Sequence, residues 1–134
     1  VLQFAIDHLK VEHVIVCGHY GCGGVRAAMT QKHYGLLNKW VRNIKDVYRR
    51  HRKELENLPQ KEKEDRLVEL NVKDQVENLA ETSIVQLAWE KHKRPVLHGW
   101  VYGLNDGILH DLYVMKPGAN IDPIYKLDLD NSNL

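Results

Sequence analysis

The stretch that decides the fold is a short apolar run that ends in glycine: His13-Val14-Ile15-Val16-Cys17-Gly18-His19-Tyr20-Gly21-Cys22-Gly23-Gly24. Residues 14–17 are apolar without alternation, which predicts a strand covered on both faces, as in a parallel sheet. A glycine-rich turn follows over residues 18–24, and residues 25–29 begin a short helix. In α/β proteins, functional residues commonly lie where a strand breaks into such a loop.

The turn carries one imidazole and one thiol, His19 and Cys22, at a spacing of three. Zinc prefers these two side chains. Cys22 falls where the next helix begins, and backbone N–H groups and the helix dipole favour a thiolate there. Two ligands do not complete a zinc site, and the chain offers no obvious third. Two alternative interpretations remain: a tight turn with an incidental His and Cys, or a phosphate-binding turn. The glycines match neither the dinucleotide fingerprint nor a P-loop.

The second cysteine, Cys17, lies five residues before Cys22. A redox pair usually has two intervening residues rather than four. Inside an apolar run, Cys17 is more typical of a small core residue. Two cysteines also cannot form a disulfide framework, which indicates a reducing compartment or a metal site.

Length and composition describe one ordinary globular domain. The chain has 134 residues, 43% hydrophobic and 28% charged, with a formal net charge of +1. This charge gives no general attraction to nucleic acid or to an anionic membrane. No apolar run approaches the roughly 20 residues that span a bilayer. We therefore expect neither a nucleic-acid nor a membrane partner.

The rest of the chain alternates helical and strand patterns. Residues 1–10 predict the end of an uncapped helix, so we expect a fragment whose N-terminal part is missing. Helical periodicity covers residues 36–48 and continues from residue 67 to about residue 91. Residues 96–103 and 108–115 predict two strands joined by a tight hairpin at Asn105-Asp106-Gly107. We predict a single partial domain over residues 1–134: an α/β fold with a mostly parallel central sheet, flanking helices and a C-terminal hairpin.

The other histidines do not suggest a metal site. His98 lies on a predicted strand, where we expect a buried, hydrogen-bonded core residue. Four others occupy polar or helical contexts, and we expect most of their side chains to be solvated: His8, His33, His51 and His92.

Residues 17–24 resemble the zinc-site signature of the β-class carbonic anhydrases. Further runs in family-like order and spacing extend the resemblance over nearly the whole chain, weakening after Met115: Leu36-Leu37-Asn38-Lys39-Trp40, Glu69-Leu70-Asn71-Val72 with Gln75-Val76, and His98-Gly99-Trp100-Val101-Tyr102 with Asp106-Gly107. Together these motifs are highly specific, whereas any one alone is not.

The resemblance implies a lyase that catalyses the zinc-dependent, reversible hydration of carbon dioxide to bicarbonate and a proton. Family members bind one Zn²⁺ per subunit through two cysteines and one histidine. His19 and Cys22 would be two of these ligands, and the third would be a cysteine in a Cys-x-Asp-Ser-Arg motif upstream of Val1. The Asp and Arg of that motif form the family's catalytic dyad, so this chain alone is expected to bind zinc poorly and to be inactive.

The resemblance also implies weaker assignments. Phe4 and Gly23 would line the substrate pocket, and Tyr102 would help to hold a regulatory bicarbonate. A homodimer or larger homo-oligomer is expected. The expected compartment is the cytoplasm, with an organelle as the alternative because the N-terminal part is missing. Two other functions stay open: a non-catalytic zinc-binding or interaction module, because the ligand set is incomplete, and thiol redox chemistry through Cys17 and Cys22.

Overall fold

Three strands form the sheet in the computed structural model, which describes residues 1–130 and leaves the last four residues of the predicted domain outside. Strand β1 (His13–His19) pairs in parallel with β2 (Val96–Tyr102). Strand β3 (Leu109–Met115) pairs antiparallel with β2, which gives the order β1-β2-β3. The α/β fold and the C-terminal hairpin are confirmed, with one parallel and one antiparallel pair among the described strands.

Six helices and one short 3-10 turn, at Pro123–Tyr125, accompany the described strands. In chain order the helices are α1 (Leu2–Asp7), α2 (Gly23–Ala28), α3 (Leu37–Arg50), α4 (Arg52–Leu55), α5 (Gln60–Ala80) and α6 (Ser83–His92). No helix within residues 1–130 is both long and apolar enough to cross a membrane.

The helical periodicity that runs to about residue 91 belongs to two helices rather than one. Helix α5 ends at Ala80, and Thr82 starts α6 because its hydroxyl accepts a hydrogen bond from the N–H of Val85 at 3.3 Å. A threonine at this position satisfies a backbone donor that would otherwise lack a partner. Apolar periodicity alone misses the break, since both helices bury the same kind of side chain.

Helix α5 covers one face of the sheet, and glycines allow its close approach. A Cβ on Gly18 of β1 would lie 2.6 Å from Cγ2 of Val72, and one on Gly99 of β2 would lie 3.0 Å from Cγ1 of the same valine. Both positions therefore lack room for a side chain. This arrangement fixes the height of α5 above the carboxyl end of β1, where the glycine-rich turn begins.

Two groups of buried side chains form the core. The first joins helices α2, α3, α4 and α5 with the β2 residue Val101. The second joins α1 and α6 to the other half of α5, to Leu97 and to Met115. Ile6 of α1 is fully buried in this second group, so the first helix packs inward through this residue.

The expectation that β1 is covered on both faces is wrong for the described residues. Its side chains alternate between half-buried and exposed, and Ile15 is 46% exposed. Cys17 is exposed instead of being a core residue. His98 is half-buried, and its Nε2 lies 2.9 Å from Nδ1 of His13 on the same open face. The apolar sequence of β1 does not reveal whether this chain covers one face of the strand or both.

The hairpin loop is longer than the tight turn predicted at Asn105-Asp106-Gly107. The N–H of Gly103 donates to the carbonyl of Ile108 at 2.9 Å, and the N–H of Ile108 donates to Oδ1 of Asp106 at 2.9 Å. Gly107 has a φ of +69°, which explains its glycine. The side chain of Asp106 thus closes a wider loop that the sequence motif does not distinguish from a two-residue turn.

Candidate metal centre

The candidate site is the turn between β1 and α2. Gly21 has a φ of +70°, a conformation that other residues rarely adopt, so glycine favours the reversal of the chain here. The N–H of Tyr20 donates to the carbonyl of Tyr102 at 3.1 Å, which extends the β1–β2 pairing one residue beyond the strand. The turn is therefore fixed to the sheet at its first residue.

His19 is the last residue of β1, and its side chain is exposed. Its Nδ1 lies 2.9 Å from the carbonyl oxygen of Tyr20. Because a carbonyl only accepts hydrogen bonds, Nδ1 carries a proton, and in the neutral imidazole this leaves the lone pair on Nε2. A histidine whose second nitrogen is held in this way is oriented like a metal ligand.

Cys22 caps the amino end of α2, with φ −69° and ψ 119°. Its half-buried side chain packs against the first core group. The ring of Trp40 from α3 lies beside this helix, and a Cβ on Gly24 would come within 2.6 Å of that ring. There is room only for glycine at position 24. The absence of a side chain there allows α2, and with it Cys22, to lie close to α3.

The structure adds a hydrogen-bond network that the sequence analysis did not identify. The hydroxyl of Tyr20 donates to Oε1 of Glu69 at 2.8 Å, and Nη1 of Arg66 donates to Oε2 of the same carboxylate at 2.9 Å. The guanidinium of Arg66 also donates from Nε to Glu54 of α4. The only sequence signal was the position of Glu69 within a family-like run, which does not reveal its partner.

These contacts also change the ionisation of their members. Burial, together with the hydrogen bond to Glu69 and that residue's negative charge, raises the pKa of Tyr20 to about 12. The hydrogen bonds from Arg66 to Glu69 and Glu54 raise the pKa of its guanidinium. Tyr20 is therefore a neutral donor, and Arg66 a permanent cation, throughout the physiological range.

The structure does not bring all the predicted site residues together. Phe4 lies on α1, which packs against α6, and its ring stacks on that of His8 with centroids 5.0 Å apart. Tyr102 pairs in register with His19 at the end of β2 and is 38% exposed. Gly23 adjoins Cys22, and a Cβ there would meet no atom within 4 Å. Gly23 and Tyr102 thus lie at the turn, whereas Phe4 does not reach it within this chain.

Within residues 1–130 no group of three His, Cys, Asp or Glu side chains could hold a metal ion. His19 and Cys22 supply one nitrogen and one sulfur, a donor pair that suits zinc but is incomplete. The two cysteines also lie in different surroundings. Cys17 is exposed on the open face of the sheet, whereas Cys22 packs against the core group beneath α2.

A second polar cluster lies away from the turn, between α3 and α5. Asp74, only 7% exposed, accepts from Nε of Arg50 at 3.1 Å, and Nε2 of His51 lies 3.4 Å from its other oxygen. His51 is therefore an exception among the histidines that were mostly expected to be solvated, because its ring contacts a buried carboxylate. The cluster borders an open cleft of about 650 Å³. Burial and the neighbouring carboxylates Glu77 and Asp122 raise the pKa of Glu81 on its rim.

Comparison with known sequences finds one family. The family described as carbonic anhydrase matches residues 1–109. A carbonic anhydrase of Emericella nidulans is 48% identical over 135 residues, which cover 98% of this chain and 59% of the relative. A carbonic anhydrase of Saccharomyces cerevisiae is 35% identical over 116 residues, covering 81% of this chain and 52% of the relative.

Solved structures show the same likeness. The Coccomyxa β-carbonic anhydrase in complex with acetazolamide superposes with a TM-score of 0.81 at 34% identity, covering 86% of this chain and 53% of that chain. A tetrameric β-carbonic anhydrase of Sordaria macrospora gives a TM-score of 0.79 at 28% identity, covering 85% of this chain and 59% of that chain. This chain therefore spans between about half and three-fifths of the length of these relatives.

Proposed function

Since the chain belongs to the β-class carbonic anhydrase family, we propose that it forms the part of a carbonic anhydrase that supplies two zinc ligands, His19 and Cys22. The reaction is the reversible hydration of carbon dioxide to bicarbonate and a proton. The observation that carries this proposal is the orientation of His19: its Nδ1 donates to the Tyr20 carbonyl at 2.9 Å, so Nε2 is available at the carboxyl end of β1.

The two donors that this chain supplies, His19 and Cys22, fit a zinc site. An imidazole nitrogen and a cysteine sulfur are ordinary zinc ligands, and both belong to one turn. Zinc, when bound, acts as a Lewis acid. It lowers the pKa of a bound water molecule to about 7 and so provides a nucleophile at neutral pH. We propose that the third ligand is the cysteine of an upstream Cys-x-Asp-Ser-Arg segment, whose Asp and Arg form the catalytic dyad.

The residues around the turn support a small substrate. The open space at Gly23 leaves room beside Cys22, which favours the proposed role of Gly23 in the carbon dioxide pocket. Tyr102, paired with His19 across β1 and β2, is the proposed contact for a regulatory bicarbonate. Phe4 stays proposed as a pocket residue, in which case another part of the assembled protein must bring it to the turn.

A homo-oligomer is the proposed assembly, supported by the tetrameric enzymes of Sordaria macrospora. The cytoplasm is the proposed compartment, although one similar relative from Arabidopsis thaliana is named mitochondrial. Thiol redox chemistry has less support, because Cys17 and Cys22 face different surroundings.

The experiment uses a protein that carries this chain together with an upstream Cys-x-Asp-Ser-Arg segment. The unchanged protein should hold one zinc per subunit and hydrate carbon dioxide in a stopped-flow assay with a pH indicator. Cys22→Ser should lose the zinc, and its hydration rate should fall to background. The matched control Cys17→Ser should retain both.

Zinc content and hydration that survive Cys22→Ser would overturn the proposed ligand. Loss of both in Cys17→Ser but not in Cys22→Ser would favour a different role for the thiols. The 134-residue chain alone should bind zinc poorly, since it provides two ligands, and tight stoichiometric binding by it would contradict the proposed third ligand.

A further inference from the structure

A hydrogen bond connects the candidate metal turn to the longest helix. Glu69, on α5, accepts from the hydroxyl of Tyr20 at 2.8 Å. Tyr20 stands directly between His19 and Gly21, so this bond reaches the middle of the turn from the side of the helix. The bond joins residues 49 positions apart in the sequence.

Tyr20 is also held by three other contacts. Its N–H donates to the carbonyl of Tyr102 at 3.1 Å. Its ring packs against the first core group, and the ring of His110 approaches it edge-on with centroids 6.2 Å apart. The backbone contact fixes the start of the residue, and the hydroxyl contact fixes the far end of its side chain.

The carbonyl of this same residue orients His19. Nδ1 of His19 donates to it at 2.9 Å, and the direction of the carbonyl therefore sets the direction of Nε2. Partners of the nitrogen that does not bind metal commonly set the tautomer and the ring orientation of a ligating histidine. Any change that lets the backbone of Tyr20 shift would thus also let the imidazole shift.

Glu69 is itself fixed in place. Its second oxygen accepts from Nη1 of Arg66 at 2.9 Å, and Arg66 also contacts Glu54 of α4. The carboxylate is three-quarters buried, so its orientation is set by these partners more than by water. The contacts form a continuous path from α4 through α5 to the tyrosine hydroxyl.

We propose that Glu69 is a positioning residue for His19: by holding the hydroxyl of Tyr20, it fixes the carbonyl that orients the imidazole and aims Nε2 at the metal. This rests on the proposed function, because His19 is a metal ligand only there. Glu69 touches neither substrate nor metal in this account. Its effect reaches the site only through Tyr20.

The test measures zinc affinity by competition with a chelator, in the protein that carries an upstream Cys-x-Asp-Ser-Arg segment. Tyr20→Phe removes only the hydroxyl, and Glu69→Ala removes its acceptor. Each should weaken zinc binding about tenfold, the lower end of the range for partners of metal-binding histidines. Glu69→Gln keeps an oxygen that can accept the same bond, so most of the affinity should return.

The matched control is Glu64→Ala, also on α5. Glu64 pairs with Arg26 at 3.3 Å rather than with Tyr20, so its loss should leave zinc affinity unchanged. The absorption bands of the cobalt-substituted protein provide a second readout, because they report ligand geometry. They should shift in Tyr20→Phe and Glu69→Ala but not in Glu64→Ala.

A purely structural role would lower the midpoint of chemical denaturation without changing zinc affinity or the cobalt spectrum, and that result would overturn the proposal. Equal loss in Glu64→Ala would overturn it as well. If Glu69→Ala does not fold, Tyr20→Phe and Glu69→Gln still decide the outcome. Failure of the unchanged protein to bind zinc would instead overturn the proposed function, and this inference with it.

Discussion

The two faces of the sheet differ in how they are built. The covered face carries glycine and fully buried side chains beneath α5, including Gly18, Gly99, Leu97 and Val101. The open face carries half-exposed apolar side chains such as Ile15, Tyr102 and Val114. The same strands therefore supply both a packed core and an apolar surface that no described residue covers.

This difference explains where the candidate site gets its rigidity. On the covered face, α5 lies so close to β1 that Val72 fills the space above Gly18. The same helix holds Tyr20 through Glu69, next to the end of β1. The position of His19 therefore depends on packing at the covered face, although its own side chain is exposed.

The largest expected difference between the faces comes from one substitution made on each. Leu97→Ala removes a fully buried side chain from the covered face and should lower the free energy of unfolding by about 2–5 kcal/mol. Ile15→Ala, on the open face at a position that is 46% exposed, should cost less than half as much. Denaturant unfolding of both variants checks this, and equal losses would contradict the comparison.

A smaller effect is expected where the helix approaches the strand. Gly18→Ala places a methyl group 2.6 Å from Val72 and should cost about 1–3 kcal/mol, as overpacking usually does. The control Gly23→Ala meets no atom within 4 Å and should leave the stability unchanged or raise it. Thermal unfolding measures both, and a neutral Gly18→Ala would show that α5 can move away without cost.

The smallest effect concerns the loop that joins β2 to β3. The backbone N–H of Ile108, and then His110, lower the pKa of Asp106 below its ordinary value of 3.8. A lowered pKa contributes stability that is complete above the ordinary value and is lost as the pH falls through the folded one. Asp106→Asn should therefore cost slightly more stability at pH 6 than at pH 2, as thermal scans can show. An equal cost at both pH values would mean that the charge contributes nothing.

The sequence predicted those parts of the fold whose signals are local. The strand–turn–helix around His19, the two C-terminal strands and the apolar stripe of α3 follow from periodicity and glycine placement. The break between α5 and α6 depends on one threonine cap, and the width of the hairpin loop depends on one aspartate side chain. A single hydrogen bond of this kind ends an element although the sequence pattern continues past it, so the pattern does not reveal the end.

Sequence patterns failed where the outcome depends on distant partners. Cys17 and His98 have apolar neighbours in the chain, yet both lie on the open face, because no described helix packs there. The bond between Tyr20 and Glu69 joins two segments whose contact follows only from the packing of α5 on the sheet. The zinc ligands His19 and Cys22 stay a prediction, supported by the geometry of the turn.

The most direct measurement is zinc-edge X-ray absorption of the protein that carries both this chain and an upstream Cys-x-Asp-Ser-Arg segment. We expect two sulfur ligands at about 2.3 Å and one imidazole nitrogen at about 2.0–2.1 Å. With zinc supplied in excess, the weakly held metal of Cys22→Ser should show one sulfur ligand instead of two, and that of His19→Ala should lack the imidazole nitrogen. An unchanged sulfur count in Cys22→Ser, or an imidazole that persists in His19→Ala, would contradict the assignment of this turn as the metal site.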